Sequence, residues 1–327
     1  MPFPAAVVPG RCRLYRVFPA AIAATVLAGC GSQAARPADG PEQTNIVVAA
    51  VPAEGAAGLF IAQEQGLFAK AGLHVTITAT ENPPADIPAM LHGTVDVLSG
   101  QYTTYIAADA AGAARMRILA AGYALGPHVQ EIMTGPRSLI KSPAQLKGKT
   151  IAVNAPDSVT TDLLYTALSP YGITPAQVHV AVIAFPAMGA ALAAGRVDAI
   201  YEVEPYVTEA AEKYGDTELA DIDAGASQDF PVNGYGALAS WVAAHPRAAR
   251  AFAHAIEQGN AIAATDITAR QRAVQTALHL SPQVVAVMAA GRFPTALDPV
   301  QIQRAADLML RYGQLRRPFA VASITGP

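Results

Sequence analysis

Cysteine is nearly missing from this chain of 327 residues: only Cys12 and Cys30 occur, and both precede residue 31. That excludes a disulfide framework or a cysteine-rich metal site from the remainder of the sequence. Charge is also sparse. Charged residues make up 14%, with 22 Lys and Arg against 25 Asp and Glu, a net charge of −3. A nucleic-acid binder would usually carry a basic face, and an aromatic content of 6% leaves little for base stacking. Nucleic acid is therefore not an expected partner. Catalytic signatures are missing as well: there is no His-Glu-x-x-His, Gly-x-Ser-x-Gly, Gly-x-x-x-x-Gly-Lys-Ser/Thr or Gly-x-Gly-x-x-Gly. The seven histidines show no ligand-like spacing. No catalytic residue, metal or cofactor is expected, and the chain does not read as an enzyme. What it has is apolar residues, 52% of the total, which excludes general disorder, and a length that allows two domains.

The N-terminal part reads as an export signal. Arg11, Arg13 and Arg16 precede an apolar run over 17–28, shorter than the roughly 20 residues a spanning helix needs. Leu27-Ala28-Gly29-Cys30 then resembles the lipobox of bacterial lipoproteins, which implies cleavage after residue 29 and diacylation of Cys30. Two acyl chains anchor stably where one does not. The following polar, Pro- and Gly-containing stretch to residue 44 reads as a tether reaching roughly 20 Å. The expected location is the extracytoplasmic face of the cell membrane, lipid-anchored.

From Ile46 onward apolar strands alternate with helical stretches, the grammar of an α/β fold. Strands are predicted at 46–51, 72–77, 94–99 and 117–122, then again at 150–154 and 178–183, with helices over 58–65, 87–92 and 160–168. Gly93-Thr94-Val95-Asp96-Val97-Leu98 recurs as Gly195-Arg196-Val197-Asp198-Ala199-Ile200. The repeat predicts two similar lobes, each with its own sheet. The part beyond about residue 230 reads as mostly helical, with an amphipathic helix over 246–265. Ser142-Pro143, Thr174-Pro175, Ser281-Pro282 and Asp298-Pro299 read as a cap followed by Pro at the first helical position. Two Gly/Pro-marked segments, 123–128 and 230–236, are candidate hinges.

In open α/β sheets, ligands sit beyond the carboxyl ends of strands, where helix starts offer free N–H groups. The loops there supply the candidate ligand-binding residues. In the first lobe these are Glu54, Asn82, Gln101 and Tyr102; in the second they are Asp157, Ser158, Thr160, Thr161, Glu202, Glu204 and Tyr206. Asn233 and Tyr235 lie on the return segment. Capping is the competing role for Asp157, Ser158 and Thr160, solvated charge for Glu202 and Glu204, and packing for the tyrosines. These loops hold no Lys or Arg and carry Glu54, Glu81, Asp157, Glu202 and Glu204, so an amine-bearing ligand is expected to bind better than a bare anion.

Residues 66–75 (Gly-Leu-Phe-Ala-Lys-Ala-Gly-Leu-His-Val), 146–153 (Leu-Lys-Gly-Lys-Thr-Ile-Ala-Val), the Gly195 box with Pro205, and 236–240 before His245-Pro246 together resemble the nitrate/sulfonate/taurine/thiamine-precursor class of ABC-transporter solute-binding proteins. The resemblance runs over about residues 46–315. It implies a type II periplasmic-binding-protein fold, with two α/β lobes, a ligand cleft and two hinge crossovers. It also implies a role as a monomeric carrier that delivers a small sulfonate-like or amine-bearing molecule to an ABC permease. The expected layout is a signal peptide over 1–29, a lipidated tether over 30–44, lobe I from 45–127 and 229–327, and lobe II from 128–228. Two alternatives share the fold. One is an enzyme of pyrimidine-precursor synthesis, whose Cys-rich iron motif has no counterpart here. The other is a sensory domain, for which no helix-turn-helix segment is legible.

Overall fold

The computed structural model describes residues 40–80 and 82–326. The expected signal peptide, Cys30, most of the tether and Glu81 lie outside the described residues. The chain begins with β1 (Asn45–Ala50), α1 (Ala57–Glu64), α2 (Leu67–Lys70), β2 (His74–Ala79), α3 (Ile87–Leu91), β3 (Val97–Gln101), α4 (Tyr102–Ala110) and β4 (Met116–Ala124). It crosses to β5 (Gln130–Thr134), β6 (Thr150–Val153), α5 (Val159–Leu168), β7 (His179–Val182), α6 (Phe185–Ala193), β8 (Ala199–Val203), α7 (Tyr206–Tyr214) and β9 (Thr217–Asp221). It returns through β10 (Pro231–Leu238) to α8 (Ala239–Ala244), α9 (Pro246–Thr265), α10 (Ile267–Leu278), α11 (Pro282–Val287) and α12 (Pro299–Arg311).

Among the described residues ten strands form two sheets, ordered β2-β1-β3-β10-β4 and β7-β6-β8-β5-β9. Each has three parallel strands followed by an antiparallel pair: β10 runs against β3 and β4, and β5 against β8 and β9. The repeated Gly-x-Val-Asp box has a physical role in this layout. Asp96 Oδ2 accepts the Val47 amide at 2.8 Å, tying the approach to β3 onto β1. Asp198 Oδ2 accepts the Thr150 amide at 2.9 Å, tying the approach to β8 onto β6. In both, a left-handed glycine (Gly93 at φ 72°, Gly195 at φ 68°) ends the preceding helix and turns the chain into the box.

The return segment corrects one expectation: residues 231–238 are not a hinge loop but an interior strand of the first sheet, ahead of the mostly helical remainder. Its glycines admit neighbouring rings: a Cβ on Gly234 would come within 2.7 Å of the Tyr102 ring, and one on Gly236 within 2.6 Å of the Tyr105 ring. Tyr123 and Ala124, placed in the other candidate hinge, belong to β4, so the link between β4 and β5 is residues 125–129.

Helix α9 buries Ala249, Phe252, Ala253 and Ile256 against the first sheet, where Phe252 stacks on Phe68 at 5.4 Å. The other face of that sheet packs beneath α4 and α12, in a core shared with α5 of the second sheet. α6 and α7 cover the second sheet's remaining face through Met188, Ala191, Ile200 and Val207. Among the described residues no helix is long and apolar enough to cross a membrane.

Candidate functional site

The carboxyl ends of β1, β3, β6 and β8 point toward one gap between the sheets, so the loops that follow them meet there. A cavity of about 60 Å3 lies in this gap, lined by Gly55, Ser99, Gln101, Thr160, Glu204 and Asn233 among others. That is room for a few waters. A neighbouring cavity of about 230 Å3 shares Val51 and Phe185 with it and adds Asn82, Asn154 and Tyr206.

Several contacts bridge the gap. Gln101 Oε1, at the start of α4, accepts the Val159 amide at the start of α5 at 3.3 Å. The Glu54 amide donates to the Glu204 carbonyl at 3.3 Å. Tyr206 reaches the Pro52 carbonyl at 3.4 Å, and its ring stacks on Phe185 at 6.1 Å. Glu204 is held most firmly: its carboxylate accepts the Thr208 hydroxyl at 2.9 Å, the Thr208 amide at 3.2 Å and the Ala289 amide at 3.0 Å. α4 has no side-chain cap, whereas Ser158 caps α5 by accepting the Thr161 amide at 3.4 Å.

The predicted residues divide accordingly. Asn82, Gln101, Thr160, Glu204, Tyr206 and Asn233 border the two cavities. Asn233 Oδ1 is buried there without a hydrogen-bond partner. Ser158 and Thr161 turn inward instead, with both hydroxyls on the Ala155 carbonyl. Asp157 is exposed, in a left-handed conformation at φ 50°. Tyr102 packs over Gly234. Tyr235 meets the Phe252 ring edge-on at 5.8 Å in the core on the other side of β10. The period-two alternation of β10 turns Tyr235 away from the cavity, and Tyr102, the first residue of α4, is taken up by packing on that strand.

The expected acidic character of the cleft is also corrected. Glu54 is buried, its carboxylate oxygens lack hydrogen-bond partners, and it does not border the cavity. Desolvation pushes its carboxyl up to about 8 against the opposing pull of Arg270 from α10, so it is largely neutral at pH 7. Glu202 is buried on β8 away from the cavity, and desolvation raises its carboxyl well above the usual range. Of the four acids among the described residues, only Glu204 lines the cavity, and burial raises it too. The lining is therefore a set of neutral donors and acceptors around one pinned carboxyl.

Sequence reasoning missed Tyr123, Gln130 and Phe185, which line the first cavity. Gln130 Oε1 accepts the Tyr201 hydroxyl at 2.7 Å, and Tyr123 packs edge-on to Phe293 at 6.0 Å. The usable signal for Phe185 was Phe-Pro directly after a strand, a helix start at a carboxyl edge. A group with metal-ligand spacing also went unseen: His128, Glu131 and Glu218 bring one ligand atom each within 4.8 Å of one another. His128 and Glu131 are three residues apart, but Glu218 is distant in sequence and joins them only because β9 pairs with β5. The imidazole already pairs with Glu218 at 3.0 Å.

Residues 54–266 match the NMT1/THI5-like family, and the chain belongs to it. The two-sheet architecture is that of the periplasmic binding proteins. The alkanesulfonate-binding protein SsuA of Xanthomonas axonopodis pv. citri, solved with MOPS, aligns with a TM-score of 0.72 and 19% identity over 87% of this chain and 98% of its own. The periplasmic nitrate-binding protein NrtA of Synechocystis PCC 6803 gives 0.76 and 16% over 88% of this chain and 87% of its own. The desulfurization enzyme DSZB shares the fold as well, at 0.66 and 17% over 87% of this chain and 97% of its own. No curated protein sequence matches this chain.

Proposed function

We propose that the protein is the extracytoplasmic solute-binding component of an ABC importer. It captures a small sulfonate-like or amine-bearing molecule in the gap and delivers it to a membrane permease. The observation that carries this reading is the convergence of Gln101, Thr160, Glu204, Asn233 and the uncapped start of α4 on one small cavity between two sheets. Lobe I (45–127 and 229–327) and lobe II (128–228) turn about the links near residues 125–129 and 229–230. A ligand favours closure through contacts it makes with both lobes at once. Cys30 carries the lipid that holds this monomeric carrier at the membrane, and the stretch to residue 44 is its tether.

Binding rather than catalysis fits the lining, which pairs no Ser, Thr or Tyr with an imidazole. Calorimetry of the purified protein against taurine, ethanesulfonate, nitrate and an aminopyrimidine tests the reading, with small-angle scattering at saturation. The expected result is tight binding of one member and a smaller radius of gyration, with affinity lost in Gln101→Ala. Turnover of any member, or binding unaffected by Gln101→Ala and Asn233→Ala together, overturns it.

A further inference from the structure

The second sheet carries a larger cavity at its opposite pole, where β5 ends and β6, β8 and β9 begin. It measures about 620 Å3, within the range of small-molecule sites, and is lined by residues 135–140, Lys149, Leu192, Val197, Tyr214 and Asp216 among others. Asp216 sets its chemistry. The residue is 3% exposed, and both carboxylate oxygens are buried without a hydrogen-bond partner. Among the described residues no cation pairs with it. Lys149 faces Asp198 at 3.7 Å, Lys213 lies 5.2 Å from the Tyr214 ring centroid, and Arg137 lines the cavity without pairing with Asp216. Burial lifts the Asp216 carboxyl only to about 6, so it is mostly ionised at neutral pH.

Polar side chains line part of the cavity, and one wall is apolar. The Tyr214 ring lies against Gly189 of α6 so closely that a Cβ there would come within 2.8 Å. Leu192 and Val197 are buried beside it, and Leu139, 89% exposed, stands at the mouth. A buried carboxylate with no donor is costly unless a partner supplies N–H groups, and a charged donor does so best. Water in the cavity would leave the Leu192, Val197 and Tyr214 wall uncovered. An anion would meet the carboxylate as a like charge.

We propose that this cavity is a second ligand site, for a small organic cation whose ammonium or guanidinium group seats on Asp216 and whose carbon skeleton lies along Leu192, Val197 and Tyr214. The site lies outside the gap between the sheets and does not depend on what binds there.

Calorimetry of the full chain with phenethylamine, 2-phenylethanol and phenylacetate tests it. Phenethylamine should bind at least tenfold more tightly than the other two, and Asp216→Asn should abolish that preference. A second variant guards against a folding defect. A Cβ at Gly135 meets only Asp216 Oδ1, at 3.9 Å, so Gly135→Val fills the space above the carboxylate with little strain and should block the amine. Equal binding of amine and alcohol, or amine binding that survives Gly135→Val, overturns the proposal.

Discussion

The fourth strand of each sheet holds the same place and is built in opposite ways. β10 gives up side chains: Gly234 and Gly236 lie bare beneath Tyr102 and Tyr105, and the Tyr105 hydroxyl sits 2.9 Å from the Gly234 carbonyl while accepting the Gly100 amide at 2.8 Å. β5 keeps its side chains and buries polar ones, with Gln130 bonded to Tyr201 and Glu131 facing His128 at 3.4 Å. One strand order is thus compatible with a glycine strand filled by its neighbour's rings and with a strand that carries its own polar network. The first sheet should be sensitive to added volume, and the second to charge.

The largest effect should come from adding volume. Gly236→Val drives methyl groups into the Tyr105 ring, and overpacking of this kind costs about 3 kcal/mol. The melting temperature should fall by roughly 6–10 °C. In β5, Ile132→Val removes one methyl and should cost only about 1 kcal/mol. Calorimetric melting of both variants checks this, and equal losses would erase the contrast between the strands.

That contrast also marks what the sequence could reveal. Ser142, Thr174, Ser281 and Asp298 were legible as caps because donor and acceptor lie within three residues of each other. All four cap as read, Ser142 and Thr174 in reciprocal boxes with Gln145 and Gln177. The Gly-x-Val-Asp boxes were legible as a repeat, but not as strand ties, because their partners Val47 and Thr150 are distant in sequence. β10 was illegible for the same reason: its glycines answer to tyrosines on α4, and Gly and Pro in isolation read as a loop. At the site, the facing of Glu202 and Tyr235 depends on which side of a sheet each takes, and that of Glu54 and Tyr102 on how the helical turn after each strand is seated.

The next effect is electrostatic. Glu54 in the first lobe is buried with no carboxylate partner and titrates near 8 when folded, against an ordinary 4.5. Its neutral form is the one the fold tolerates, so stability is greatest below the unfolded value and declines as pH rises through the folded one. Glu131 in the second lobe is raised to about 8 as well, by desolvation and by Glu218, with His128 as a counterweight. Both acids act in the same direction, and the protein should lose stability between pH 5 and pH 9. Glu54→Gln should match the parent at pH 5 and exceed it by about 2–3 kcal/mol at pH 9. Glu131→Gln should gain less, because it also removes the partner of His128. Urea titrations across that range test this, and a Glu54→Gln variant that tracks the parent at every pH would refute the isolated-carboxyl account.

The smallest difference should fall where the two lobes agree. Asp96 and Asp198 each accept one strand-opening amide, at 2.8 and 2.9 Å, and hydrogen bonds to a charged group contribute about 2 kcal/mol. Asp96→Ala and Asp198→Ala should each destabilise by that amount. Their secondary partners differ: Asp96 also accepts Gln43 Nε2 at 3.0 Å, whereas Asp198 faces Lys149 at 3.7 Å, with side chains 39% and 42% exposed. An ion pair so open to water contributes little. The two losses should therefore agree within about 1 kcal/mol, and Lys149→Ala should be nearly silent. If Asp198→Ala costs twice as much as Asp96→Ala while Lys149→Ala remains silent, the amide ties are not equivalent, and the box would be a shared sequence pattern without a shared energetic role.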